Sequence, residues 1–370
     1  MISRWAYRSV GRRDPRLDWL RGYCLFMMTV DHVGGPSSVL YAITGNTAYY
    51  TSAAEAFYFI SGVTIGLISN RGTLRAAVRR VLSRALVLYR TGILLALTSG
   101  LIGLFTGLEF WGRTQFLERK PELWSFVFRT LTLRNEAGGA GILVLYVLFM
   151  VVAPLALWAL SRRWAWAVLG VSVGLYALGQ IAPGSVRLPF AVYFDPAAWQ
   201  VLFFGGLVIG YCREEIAAFL VRVPRWRDAL EWTVVILALA YLIVFANGWN
   251  VWPATPELLG PREPLRPARL VLVMLNLFAA YILSSWFWTP LRRGLGWLLE
   301  PLGRSSLWAF TTHYVAVGLI FNIPAFKSTN NIWLGAVWQL LAVLMVWASI
   351  RAYAVVTAPR RKTGSMLERP

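Results

Sequence analysis

The chain has little of what builds a soluble domain. Charged residues make up 14% of its 370 positions, against about 25% in soluble proteins. Acidic side chains are the scarcer sign, 17 Asp and Glu beside 36 Lys and Arg, and histidine occurs only twice. Two cysteines, Cys24 and Cys212, make no disulfide framework, and no CxxC or Cys/His spacing offers a metal site. Both read as small packing residues near the inner ends of hydrophobic windows. No stretch rich in Pro, Gly or Ser divides the chain, and no short repeat marks a solenoid. Short alternating strands are missing too, which excludes a β-barrel. The opening MISRWAYRSVGRRDP is basic but is followed by no small-residue cleavage site, so the first window is expected to be retained.

What the chain does have is hydrophobic length. It is 58% apolar, with a mean hydropathy of +0.57. Windows long enough to cross about 30 Å of hydrocarbon fall at roughly 17–36, 52–69, 85–106, 141–160 and 164–183. Others fall at about 197–212, 229–247, 268–288, 305–323 and 332–356. The expected fold is therefore all-α. A single polytopic membrane domain would span 1–370, with about ten transmembrane helices and both termini cytoplasmic. Numbering the gaps alternately gathers Arg4, Arg8, Arg12, Arg13 and Arg16, then Arg71, Arg75, Arg79, Arg80 and Arg84, and finally Arg360, Arg361 and Lys362 on the inner side. The net charge of +19 is thus topology first. Basic inner loops also attract anionic membrane lipids, so no nucleic-acid partner is implied. Residues 1–16 would form a cytoplasmic arm and 357–370 a cytoplasmic tail. The 107–140 segment would be an outer loop in which Pro121 opens an interfacial helix, PELWSFVFRTL, and a second outer segment, 248–268, is rich in Pro and Trp.

The stretch RLDWLRGYCLFMMTVDHVGG, 16–35, breaks the apolar rule, because Asp18, Arg21, Asp31 and His32 share one hydrophobic window. Ionisable groups in such a place cost several kcal/mol and mark function by default. On a helix, Arg21 and His32 are about 20° apart in azimuth and about 16 Å apart along the axis. Asp18 lies near the same face. The polar groups would form one stripe, with an imidazole suited to general-base work at its far end. Asp31 is about 100° round from His32, so a carboxylate from another helix is the better partner for the ring. Glu55, near the outer end of the second window, is the expected one, fixing the tautomer and stabilising imidazolium. Ser61 and Gly62 follow at mid-depth. His313 lies in a window with no carboxylate of its own, where a packing role competes with a substrate contact. Asp18 and Arg21 could equally be a structural pair locking helices together.

The same residues carry a family likeness. RDPRLDWLRGYCLFMMTVDHVGG resembles the opening of the OpgC-type family, which acylates osmoregulated periplasmic glucans. The Arg21-x10-His32 spacing is similar to the signature of the wider acyltransferase-3 group. AAEAFYFISGVTIG (53–66), LVLYVLFMVVAPLAL (143–157) and FDPAAWQVLFFGGLVIG (194–210) extend the likeness, and LGRSSLWAF (302–310) matches more loosely.

The resemblance implies an acyl-CoA-dependent O-acyltransferase of the bacterial inner membrane. It would use a cytoplasmic acyl-CoA donor and an extracytoplasmic carbohydrate acceptor, and glucan-synthesis machinery is a further partner. Succinyl is the acyl group associated with the family, and nothing in the sequence selects it over acetyl. No permanently bound cofactor or metal is implied. Arg21 and His32 would take the motif roles, with Glu55 as partner acid and Asp31 beside the base. Trp199 and Gln200 match the Asp-Pro-x-x-Trp-Gln box. The nucleotide would dock on arginines drawn from Arg16, Arg71, Arg75, Arg79 and Arg84, whose forks suit phosphates. Tyr58 or a backbone N–H would hold the oxyanion. A proton-coupled transporter is the rival reading, since buried Asp, Arg and His can relay protons. No second charged window mirrors the first, as inverted repeats would tend to supply. A scaffold for a glucan synthase would leave the Arg–His stripe without a purpose.

Overall fold

The computed structural model describes residues 6–7, 13–34, 38–45, 50–106, 108, 123–134, 141–184, 186, 188, 190, 194–246, 259 and 262–357. Arg4, Arg8, Arg12, Pro121, Arg360, Arg361 and Lys362 lie outside the described residues, as do most of the 107–140 segment and much of 248–261. Among the described residues every secondary-structure element is a helix. In chain order the elements are α1 (Pro15–Val33), α2 (Tyr41–Thr44), α3 (Ala53–Ser69), α4 (Leu74–Thr106), α5 (Leu123–Leu131), α6 (Gly141–Ser161), α7 (Ala165–Ile181) and α8 (Pro196–Tyr211). They continue with α9 (Arg213–Arg222), α10 (Pro224–Ala246), α11 (Pro267–Trp286), α12 (Trp288–Arg304), α13 (Ser306–Phe321), α14 (Pro324–Lys327) and α15 (Ile332–Thr357).

The expectation of about ten spans is corrected. Among the described residues, four helices are long and apolar enough to cross a membrane: Leu74–Gly103 within α4, then α6, α11 and α15. Helices α3, α7, α8 and α13 are apolar but only 16 or 17 residues long. At 1.5 Å per residue they cover about 24–26 Å, less than the hydrocarbon thickness of about 30 Å. Helix α1 has the length, at 19 residues, but carries Arg16, Asp18, Arg21 and Asp31.

Two helix starts are written in the same way. Asp14 caps α1 by accepting from the Arg16 N–H at 3.1 Å, and Pro15 takes the first helical position. Asp195 caps α8 from the Ala197 N–H at 2.8 Å, with Pro196 following. An Asp cap relieves an orphan N–H, and a proline there has no N–H to lose. Helix α3 starts on a capping box, Ser52 with Glu55, whose carboxylate accepts from the Ser52 N–H at 2.8 Å.

Helix α1 sits inside the bundle, packed against α3, α11, α12, α13 and α15. Two crossings hold it and its neighbour α3 in place. A Cβ on Gly62 would overlap the Phe203 carbonyl, and one on Gly206 the Phe59 carbonyl, so α3 and α8 meet backbone to backbone. Gly66 and Gly210 repeat the contact one turn on. This is the small-xxx-small arrangement that lets apolar helices approach closely. Likewise Gly22 lies against the Leu299 carbonyl and Gly303 against that of Asp18, which locks α1 on α12.

Candidate functional site

The basic end of the site is built at the start of α1. Arg16 is buried and wholly engaged. Its Nε and Nη2 donate to Asp14 at 2.9 and 2.7 Å, Nη1 donates to Ser285 Oγ at 2.6 Å, and Nη2 to Tyr281 Oη at 2.6 Å. The rings of Tyr7 and Tyr281 lie 4.0 and 4.4 Å from its guanidinium carbon. Arg213 adds a contact to Asp14 at 3.0 Å. Burial works against the Asp14 charge, yet the Arg16 hydrogen bonds and the Arg16 and Arg213 charges outweigh it and hold its carboxyl below the ordinary value. Asp18, also buried, accepts from Arg13 at 2.7 and 2.8 Å in a two-pronged pair.

Beside this knot opens a cavity of about 570 Å³. Arg13, Arg71, Arg80, Arg84, Arg213 and Arg304 line its mouth. Its inner wall is one face of α3, carrying Phe57, Ser61, Thr64, Ile65 and Ile68 at helical spacing, so it runs along roughly 16 Å of that helix. Leu88, Ile142, Tyr146, Met150 and Phe310 complete the apolar depth. Arg21 reaches into this space. Its Nη2 donates to Thr64 Oγ1 at 2.7 Å, and Thr64 Oγ1 donates in turn to the Ile60 carbonyl at 2.8 Å. The Arg21 Nε is buried without a hydrogen-bond partner among the described residues. A guanidinium held this way keeps donor capacity for an oxygen that the described residues do not supply.

Of the expected donor contacts, Arg21, Arg71 and Arg84 line the cavity, as do Asp18 and Ser61. Arg16 does not, being consumed by Asp14, Tyr281 and Ser285. Arg75 and Arg79 are exposed on α4 and also lie off the lining. Arg13, Arg80, Arg213 and Arg304 were not among the candidates. Arg80, Arg84 and Leu88 follow one another at the four-residue spacing of a single helix face, and that was the available signal.

At the far end of α1 the structure pairs His32 with His313, Nδ1 to Nε2 at 3.0 Å. The rings stack with centroids 5.3 Å apart. His313, 1% exposed, has its own Nδ1 2.5 Å from the Phe310 carbonyl oxygen. Neither histidine lines the cavity, but Phe310 does. The expected Glu55–His32 pairing is not what forms, because both Glu55 oxygens are committed. One accepts from Arg269 Nε at 2.7 Å and lies 2.6 Å from Nη2, and the other accepts from Ser52. This ion pair is fully buried, at 2% and 0% side-chain exposure. Arg269, in the first turn of α11, was missed by sequence reasoning; a cation inside an apolar window was its only trace.

Asp31 is half-buried, with Oδ1 lacking a hydrogen-bond partner among the described residues, and its carboxylate lies beside the buried Thr44 hydroxyl. Tyr58, expected as an oxyanion donor, is fully buried and donates to the Ile142 carbonyl at 2.6 Å. Trp199 stacks on Phe194 at 3.7 Å and donates to the carbonyls of Arg262 and Glu263, both at 3.1 Å. Gln200 donates to the carbonyls of Ser172 and Ala197 and accepts from Ser172 Oγ at 2.7 Å. That box therefore caps α8 and ties it to α7 and to the segment before α11. Cys24 and Cys212 are free thiols, and no group of His, Cys, Asp or Glu among the described residues forms a metal site.

Apolar helices around a deep cavity with a basic mouth define a membrane-associated helical protein. The family described as OpgC protein matches residues 13–358, and the chain belongs to that family. Membership makes it an acyltransferase-type membrane protein. Neither a curated protein nor a solved structure matches it.

Proposed function

We propose that the protein moves an acyl group from acyl-CoA, taken from the cytoplasm, to a hydroxyl of an extracytoplasmic glucan, in the inner membrane of a bacterium. The observation that carries this is the cavity. Six arginines surround its mouth, the half-buried Arg21 reaches in with its Nε lacking a hydrogen-bond partner among the described residues, and the walls beyond are apolar. A nucleotide with phosphates suits the mouth, and an extended thioester arm suits the depth. The excess of arginine at this end agrees with a cytoplasmic orientation.

The chemistry follows from the far end of α1. Neither ring lines the cavity, so the acyl tip would have to move past Phe310, whose carbonyl anchors the histidine pair, to meet His32. His32 takes the proton of an acceptor hydroxyl as its oxygen attacks the thioester carbon. The carbon–sulfur bond then breaks, and the imidazolium returns the proton to the leaving thiolate. The products are a sugar ester and free CoA thiol. Asp31 and Thr44, near the same end of α1, are the groups proposed to bind acceptor hydroxyls, Asp31 Oδ1 having no hydrogen-bond partner among the described residues. Glu55 acts through the fold, by holding the start of α3 against α11.

The test replaces His32 by Ala and by Gln and measures acyl incorporation into glucan, with folding and insertion checked separately. Both variants are expected to lose on the order of 10²–10⁴ in rate, the usual worth of a general base. Activity retained in a folded, inserted variant removes His32 from the chemistry.

A further inference from the structure

We propose that His313 is a positioning residue that fixes the tautomer of His32 and aims its Nε2 as the basic nitrogen. The inference deepens the function proposed above and rests on His32 being the base. It follows from a chain of three polar groups. A carbonyl oxygen only accepts, so the short contact from Phe310 requires a proton on His313 Nδ1. His313 is 1% exposed and has no carboxylate partner in any ion pair among the described residues, so it is held neutral. A neutral imidazole protonated at Nδ1 carries its lone pair on Nε2. That nitrogen faces His32 Nδ1 at 3.0 Å, so His32 must donate there. The lone pair of His32 is thereby left on Nε2, the nitrogen turned away from His313.

The arrangement does with a neutral ring what an acid does in many histidine sites: it sets which nitrogen takes the proton. It also explains why a second histidine, far along the chain and on an apolar helix, is buried with both ring nitrogens engaged. The carbonyl that anchors the chain belongs to Phe310, a wall of the donor cavity. The relay and the cavity therefore share a residue, and the base is referenced to the place where the thioester arrives.

Two histidines in the whole chain make the test direct. Full-length protein labelled with ¹⁵N-histidine and held in lipid nanodiscs would be read by two-bond ¹H–¹⁵N spectra. The expected result is protonated Nδ1 and unprotonated Nε2 on both rings. In His313→Leu, His32 should lose that pattern, and kcat should fall at least about tenfold with KM for acyl-CoA unchanged, the mark of a lost orienting partner. His313→Gln offers a carbonyl oxygen to the same N–H and should keep the His32 pattern and recover most of the rate. A protonated Nε2 on His32 in the unaltered chain overturns the proposal, as does a His32 pattern unmoved by His313→Leu. Loss of the catalytic reading is seen separately: active His32→Ala would remove the base while the spectra of the unaltered chain still report the relay.

Discussion

Arg21 shows at the scale of one residue how the proposed donor site would be made. A buried guanidinium without a carboxylate is costly unless hydrogen bonds replace its water. Thr64 supplies one bond at 2.7 Å, and Nε has none among the described residues. Asp18, which could have neutralised it, is occupied by Arg13. The remaining capacity points into the cavity, where a carbonyl or phosphate oxygen would complete it. Arg21→Lys keeps the charge but loses the planar fork and the Nε donor. A charge-assisted hydrogen bond is worth about 1.5–3 kcal/mol, so KM for acyl-CoA is expected to rise about tenfold or more. Steady-state kinetics at varied donor checks this, and an unchanged KM would take Arg21 out of donor binding.

At the scale of elements, the crossing of α3 on α8 decides whether the cavity wall exists. Gly62 and Gly66 face the backbone of α8, and Gly206 and Gly210 face that of α3. Any Cβ there meets carbonyl or amide atoms that cannot turn aside. Gly62→Ala should cost at least about 1–3 kcal/mol, the usual scale of overpacking. Gly205→Ala, on the partner helix α8 next to Gly206 but with open space beside it, is the matched control and should leave thermal unfolding in detergent unchanged. Equal melting of the two variants would mean the helices do not touch as described. These elements were legible in sequence to different degrees. Asp14-Pro15, Asp195-Pro196 and Ser52-x-x-Glu55 announce helix starts by local chemistry, so the starts follow from a few residues. The number of full spans did not follow, because α3, α7, α8 and α13 are apolar yet stop at 16 or 17 residues. The Arg21-x10-His32 spacing was visible in the sequence, but a single passage shared by the two was not, and of the pair only Arg21 lines the cavity. The polar partners were not visible either, since Glu55 meets Arg269 across 214 positions and His32 meets His313 across 281. Such pairs are set by how helices pack, and a single chain carries no local mark of that.

For the whole molecule, the question is what an excess of 19 positive charges does. Orientation in the membrane accounts for arginines anywhere on one face. It does not require six of them around a single cavity mouth, with Arg13, Arg213 and Arg304 each at least 41% exposed at the side chain. Charges exposed in this way attract a phosphorylated donor from a distance, and salt screens that attraction. The Debye length is about 10 Å at 0.1 M salt and about 3 Å at 1 M, so the mouth should lose most of its pull over that range. KM for acyl-CoA is therefore expected to climb with ionic strength. A short acyl thioester carrying the pantetheine arm but no nucleotide lacks the phosphates that the mouth would hold, and its KM should stay nearly flat. Comparing the two donors in the same nanodiscs cancels any effect of salt on folding, on lipid or on the acceptor. If both donors respond alike, the arginines serve the membrane alone, and the nucleotide binds elsewhere.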